Sequence, residues 1–385
     1  MKFFRLAFLA SLLLAAAALF LLKPASPKRS YVLGVIGNFK GNSAQVGVES
    51  FNAIMLAYEE YKKSHPRGFD LAFLPTDNSW DPAKTRPAYL ECADQSDLLI
   101  LLTGSSHVML VYDDFLDRPE TVHALLGPTT TRLTGIDDNV VRNLADLEYE
   151  QTLIAAFADS RGFRRILVAV ENEYNPGYTE PAAEAFLNHS RIPKIDVARF
   201  SGLQMDTAAV KAMLASNQYD ALYAMVGGMP REAAILVQQA RSVQPGIPVL
   251  ITPWTRGMIF DQALGPENHS IFMPSHVMLE NNPAYDRFAA AYREMFRAET
   301  HEYFVPLMYD LASSLFLALD KSPSPAASDL LPVLLAGKYH GIAGAFGYDP
   351  FGDAVGQMHF HSLVDGQWRF VSSEPQNEPS PSPAP

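Results

Sequence analysis

The sequence predicts an α/β protein of two Rossmann-like lobes, each a parallel sheet covered by helices, joined by a hinge that the chain crosses several times. Three observations carry this expectation. At 385 residues the chain exceeds what one hydrophobic core ordinarily organises and suits two lobes of common domain size. Short apolar runs alternate with amphipathic stretches of helical period, the pattern of parallel strands buried on both faces. The alternation restarts after Asp146, which makes two successive units of it.

In the first unit, residues 31–37 (YVLGVIG) read as a buried strand, and residues 47–62 place Val48, Phe51, Met55 and Tyr58 at helical spacing. Residues 70–77 form the next strand, after which Asp81-Pro82 supplies an N-cap and a proline at the first helical position. Residues 97–104 and 123–130 are the third and fourth strands. In the second unit, strands at 164–171, 195–202, 219–228 and 248–253 alternate with helices at 148–159, 177–187, 206–216 (capped by Asp206) and 230–241. Helices follow at 283–297, 304–321 and 326–339, then a strand hairpin at 357–371 that turns at Asp365-Gly366. Three crossings, near Asp146, Met273 and Ala345, fit this order. They assign residues 31–145 and 273–342 to lobe 1 and residues 146–272 and 343–371 to lobe 2. Residues 372–385, rich in Pro and Ser, are expected to form a disordered tail.

The N-terminus reads as an export segment, so residues 1–30 are assigned to a signal peptide or membrane anchor plus linker. Lys2 and Arg5 precede an uncharged run over residues 6–22, and Lys23 ends it. Ala15 to Ala18 offers small residues for cleavage. As a helix the run is about 26 Å long against a hydrocarbon core of ~30 Å, so an uncleaved anchor stays open beside a cleaved signal. Either places the protein in the periplasm or another extracytoplasmic space, with membrane contact only if the segment is kept. The lone cysteine, Cys92, excludes an intramolecular disulfide, and no cysteine near the apolar run excludes a lipid-anchored one. The net charge of −12 argues against nucleic acid as a partner.

Signatures of catalysis are absent: there is no Walker loop, nucleophile elbow, His-Glu-x-x-His or Cys-x-x-Cys. The chain is therefore expected to be no enzyme and to need no cofactor. Cys92 reads as a small buried residue of a helix. His359 and His361 share one face of a strand, where they suit a metal or merely a solvated surface. Gly227-Gly228 suits a phosphate or an ordinary tight turn.

The strand ends are more informative, because open α/β sheets bind ligands beyond the carboxyl ends of their strands. LTGSS (102–106) ends the third strand and GPTTT (127–131) the fourth. Hydroxyls and free amides on neighbouring strand ends suit an anionic group such as a carboxylate, although helix capping alone also favours Ser and Thr.

Taken together these segments resemble the branched-chain amino-acid-binding proteins of ABC importers, the Leu/Ile/Val-binding type of the periplasmic binding protein type I fold. The resemblance runs from about Val32 to Phe370. It rests on GNFKGNSAQVG (37–47), DNSWDP (77–82), LTGSSHV, GPTTTRLTG, ENEYNPGY (171–178) and FGYDPFGDAVG (346–356), in the order the family has them. It implies a solute-binding protein that closes two lobes over a small ligand and delivers it to an ABC permease. By position it implies that Ser105 or Ser106, with Thr129 and Thr131, hold a carboxylate. It also implies that Tyr174 closes over the ligand and that Phe304 forms an aromatic wall. Two positions depart. Met229 stands where the family often has a second tyrosine, and Trp254 at or beside the acidic residue that pairs with the α-ammonium. Unless Glu232 or Asp261 compensates, an unpartnered ammonium costs about 3–5 kcal/mol. The expected ligand is then an aromatic or apolar acid without an ammonium, with Arg231 or Arg256 nearby, in preference to leucine. A membrane-anchored regulator that uses the fold to bind a protein partner is the alternative.

Overall fold

The computed structural model describes residues 28–41, 44–265, 269–278, 280–300, 304–355, 358–364 and 366–374. The N-terminal apolar run, most of the Pro/Ser tail and Asp365 of the hairpin turn lie outside them.

Two sheets dominate. The first has strand order β2-β1-β3-β4-β5, all parallel: β1 (Arg29–Gly37), β2 (Phe69–Asp77), β3 (Leu98–Leu102), β4 (His123–Leu126) and β5 (Val140–Arg142). Every residue of β3 (LLILL) is buried, as a central strand covered on both faces requires. The second sheet has order β15-β14-β10-β9-β8-β6-β7. Its parallel part is β6 (Arg165–Glu171), β7 (Lys194–Phe200), β8 (Ala221–Met225), β9 (Val249–Ile251) and β10 (Ile271–Ser275). Antiparallel β14 (Met358–Val364) and β15 (Gln367–Glu374) extend it.

Helices cover both sheets. Helix α1 (Ala44–Ser64) lies on the first sheet, and α2 (Pro82–Ala93) starts as expected, with the Asp81 carboxylate accepting from Ala83 N at 2.9 Å and Pro82 at its first position. In the second lobe, the Asp146 carboxylate caps α3 (Leu147–Ser160) through Tyr149 N at 3.0 Å. Cys92 is buried, in keeping with its reading as a packing residue.

The exchange of chain between lobes differs in detail from the expectation. Met273 lies inside β10, hydrogen-bonded between β9 and β14, so the second sheet keeps the chain through Ser275. The chain then supplies helices Pro283–Phe296 and Val305–Lys321, which pack on α1 of the first lobe. The expected return near residues 343–345 also comes later. Helix Ala327–Leu335 stops short of the predicted 339, and Lys338–Gly341, Gly344–Tyr348 and Ala354–Val355 form a separate three-stranded sheet, β11-β12-β13. This small sheet belongs to the first lobe: the buried Asp310 carboxyl accepts from Ile342 N at 2.8 Å and Ala343 N at 2.9 Å, and Tyr348 Oη meets Ser314 Oγ at 2.9 Å. Only at β14 does the chain rejoin the second sheet. The sequence signal for this sheet is weak because its strands are two to five residues long and rich in glycine.

A buried ion pair closes this arrangement. Arg142, at the end of β5 and 1% exposed, donates from Nε to Asp353 Oδ1 at 2.8 Å and from Nη1 to the Thr130 carbonyl at 2.9 Å. Breaking one half of such a pair strands a charge in the interior, whereas replacing both halves with apolar residues removes the problem. Arg142→Met should therefore cost about 3–5 kcal/mol in urea unfolding, and Arg142→Met with Asp353→Leu should recover most of it. Equal losses in the single and double variants would show that packing, and not charge, sets the cost.

Candidate functional site: the interlobe cleft

The carboxyl ends of β1–β4 and of β6, β8 and β9 face each other across a cavity of about 70 Å³. Its walls are largely aromatic: Trp80 and Phe304 from the first lobe, Tyr174, Tyr178 and Trp254 from the second.

Tyr174 stands in the cleft because a buried carboxylate builds the turn beneath it. Glu171, the last residue of β6, is fully buried and accepts from Glu173 N at 2.7 Å, Tyr174 N at 2.8 Å and Asn175 N at 3.3 Å. Three amides pointing at one anion form a small nest that fixes the loop before the helix Pro176–His189. Burial pushes the Tyr174 phenol well above its ordinary range, aided by the negative charges of Glu171 and Glu232, so it stays neutral.

Trp254 occupies the 3₁₀ turn Pro253–Thr255 after β9 and packs against the cores of both lobes. Its ring stands edge-on to Tyr178 with centroids 6.2 Å apart, and the indole also has a polar interaction with the Tyr178 hydroxyl. No acidic side chain lines the cavity among the described residues. Asp261 instead accepts from Trp368 Nε1 at 3.2 Å, on the β15 side. Glu232 sits in the first turn of the helix Pro230–Val243 without reaching the lining. Arg231 is exposed, and Arg256 is half-buried outside the lining.

The predicted hydroxyl cluster is only partly brought together. Ser105 is buried, and its Oγ accepts from Thr129 N at 3.2 Å, so it ties the β3 and β4 turns to each other. Ser106 reaches across the cleft. Its amide donates to Asn175 Oδ1 at 3.2 Å and its Oγ accepts from Gly177 N at 2.9 Å. Thr129 is buried, with its hydroxyl unpartnered among the described residues, but it lies outside the cavity lining. Thr131 is a correction: it opens the 3₁₀ turn Thr131–Leu133 and is exposed to solvent, because the turn rotates it away from the cleft. Met229 is another. It is buried in the core of the second lobe, and the lining at this turn comes from Gly227, Gly228 and Pro230. A methyl at Gly227 would meet the Tyr178 ring at 3.0 Å, so glycine there permits close packing beside the cleft. A methyl at Gly177 would fall 2.8 Å from Ser106 Oγ, so glycine there permits the lobes to touch.

His359 and His361 are buried, not a solvated face, and burial lowers the basicity of both rings. Among the described residues no group of three His, Cys, Asp or Glu side chains is placed to hold a metal. Sequence reasoning passed over Trp80, Thr103, His107, Asn175 and Tyr178, all of which line the cleft. The signal was present for two of them, since Thr103 and His107 flank the two serines already singled out.

Behind Tyr178 lies a second buried acid. Glu150, on α3, accepts from Tyr178 Oη at 2.6 Å and from Gln151 Nε2 at 2.9 Å. Desolvation raises its carboxyl to about 7, against these two bonds, which lower it. A carboxyl raised above its ordinary 4.5 favours the folded state while protonated. That stability is full below about pH 4.5 and is lost as pH rises through about 7. Asp310, also raised to about 7 by burial, adds a second such contribution. Urea midpoints should therefore fall as pH rises from about 5 to 8, and Glu150→Gln should remove part of the fall. An unchanged slope in that variant would place the titration elsewhere.

Comparison with known proteins agrees with this architecture. A leucine-binding protein LivK of Thermotoga maritima superposes with a TM-score of 0.79 at 18% identity, over 89% of this chain and 98% of its own. LivJ of Streptococcus pneumoniae in complex with isoleucine gives 0.76 at 16% identity, over 90% and 100%. A solute-binding protein of an ABC transporter from R. palustris in complex with 4-hydroxybenzoate gives 0.77 at 15% identity, over 90% and 98%. At such identities these likenesses speak to the fold. No curated protein matches the chain by sequence. The family model described as periplasmic binding protein matches residues 30–367, and with nearly the whole described chain covered, the protein belongs to the periplasmic binding protein family.

Proposed function

We propose that the chain is an extracytoplasmic solute-binding protein that captures a small apolar, ring-bearing organic molecule between its lobes for an ABC importer. The observation that carries this reading is the lining: five aromatic side chains contribute to it, and among the described residues no carboxylate does. Such a wall gives large contact area at low entropic cost, while an α-ammonium would be buried without a counter-charge. The neighbouring folds named above, with leucine, isoleucine and hydroxybenzoate attached to them by name, support solute capture as the use of this architecture. The basic N-terminal residues and the apolar run over 6–22 support export. Among the described residues no helix is long and apolar enough to cross a membrane.

The structure shifts the expectation of a carboxylate ligand. Two amides of the turns expected to receive it have protein partners: Thr129 N has Ser105 Oγ and Ser106 N has Asn175 Oδ1, while Ser106 Oγ accepts from Gly177 N. The same latch favours the second reading, a regulator that presents joined lobes to a protein partner, since the lobes hold one another through their own hydrogen bonds.

Calorimetry on the full chain separates these readings. Uncharged ring compounds such as benzyl alcohol and toluene are expected to bind, leucine, isoleucine and valine to bind at least a hundredfold more weakly, and Trp254→Ala to weaken ring binding at least tenfold. Micromolar binding of leucine would overturn the ligand class. No binding by any of these compounds would favour the regulator.

A further inference from the structure

Three side chains of the cavity lining carry buried polar atoms with no hydrogen-bond partner among the described residues. His107 is 3% exposed, and its Nε2 lies 3.1 Å from the Trp80 carbonyl oxygen. A carbonyl can only accept, so Nε2 carries the proton. Desolvation lowers the ring's basicity, which keeps the imidazole neutral near pH 7. Nδ1 is then a bare lone pair, and it has no hydrogen-bond partner among the described residues. It lies 3.4 Å from where a side chain on Gly104, itself a lining residue, would begin. The Thr103 hydroxyl, also 3% exposed, and the Trp80 indole N–H are likewise buried and unpartnered among the described residues. All three side chains line the same cavity.

Buried polar groups left in this condition are rare and costly, so three together, walled by aromatic rings, point to a ligand group. The backbone supports this. Ser79 and Trp80 have φ of 51° and 48°, a left-handed conformation that a bulky residue such as tryptophan avoids unless its surroundings enforce it. Here Asp77 accepts from Ser79 N at 3.2 Å and Asn78 from Trp80 N at 3.1 Å. The result aims the indole into the cleft and the carbonyl at His107.

We propose that these lining groups form a subsite for an uncharged hydroxyl on the ligand, which donates to His107 Nδ1 and accepts from the Trp80 indole N–H or the Thr103 hydroxyl. The inference rests on the small-solute reading and narrows it to apolar alcohols and phenols. A carboxylate placed there would face a lone pair, and a bare hydrocarbon would leave all three atoms unsatisfied. Neither offers the donor and the acceptor that one hydroxyl supplies.

The test is calorimetry on the full chain at neutral pH with 4-methylphenol, 4-fluorotoluene and 4-methylbenzoate, which share a ring and differ at one end. 4-Methylphenol should bind at least tenfold more tightly than either of the others. His107→Leu should abolish that preference while keeping the weaker binding of 4-fluorotoluene. Nitrogen NMR of the unmutated protein guards against misfolding of the variant: the His107 Nδ1 resonance should move on adding 4-methylphenol and stay in place with 4-fluorotoluene. Equal affinities for the three, tightest binding of the carboxylate, or an unmoved resonance overturns the subsite and leaves the small-solute reading standing. No binding by any of the three overturns both.

Discussion

The pairing of Arg142 with Asp353 is the constraint on which the two-lobed arrangement depends. Arg142 ends the last strand of the first sheet, a few residues before the chain leaves that lobe, and Asp353 precedes β13, just before the chain leaves it again. Two departures 211 residues apart in sequence are thus fastened at one buried point, reinforced by Arg142 N donating to the Gly352 carbonyl at 2.8 Å. The guanidinium also holds the Thr130 carbonyl, so the same charge that fixes the hinge fixes the turn after β4 at the floor of the cleft. An ion pair this buried gains little over an apolar pair in stability. What it supplies here is position, because two guanidinium N–H groups converge on Asp353 Oδ1 while Asp353 Oδ2 holds Gly135 N, which leaves little room for displacement of either segment.

The cleft is built on the same plan, with polar side chains spent on holding backbone. Glu171 gathers three amides and so presents Tyr174 and Asn175; Ser105 ties the β3 turn to the β4 turn. These residue types are the ones that hold a carboxylate or an ammonium when they face a ligand. Facing their own main chain, they leave the aromatic rings to define the pocket. Ser106 shows the consequence across the interface. Its amide is met by an Asn175 oxygen, a neutral group in place of an anion, and the two lobes become each other's hydrogen-bond partners.

Much of this architecture was legible in the sequence, for physical reasons that differ by element. Fully buried strands such as LLILL and the proline-led, Asp-capped helix at Pro82 announce themselves through composition and capping chemistry, which act locally. Tyr174 and Trp254 line the cavity after strand ends, where topology decides location, and Phe304 lines it from the start of the helix Val305–Lys321. Thr131 and Met229 failed because one residue of rotation in a turn moves a side chain from cleft to solvent or core. The β11–β13 sheet was missed because its strands are short and glycine-rich and its seat is set by tertiary bonds to Asp310 and Ser314, which no local pattern encodes. The histidines of β14 were misread for a similar reason: their burial is set by neighbouring strands, not by their own alternation.

What such a cleft can discriminate follows from its charges more than from its volume. Water leaves when the lobes meet, and in the drier interior an unmatched charge is penalised far more than a mismatch of one methyl group. The nearest acids are withdrawn: Glu171 is saturated by amides, and Glu150 lies behind Tyr178 with its carboxyl raised by burial. The nearest base, His107, is kept neutral by the same desolvation. Each of these groups is polar enough to form a hydrogen bond, and among the described residues none lining the cavity offers full charge to a ligand. In the proposed reading, a zwitterion surrenders hydration at both ends with no counter-charge among the described lining residues, while an uncharged ring surrenders almost none. On that reading, selection by the absence of charge is a coarse filter, and the polar atoms of His107, Thr103 and Trp80, unpartnered among the described residues, are what would make it directional.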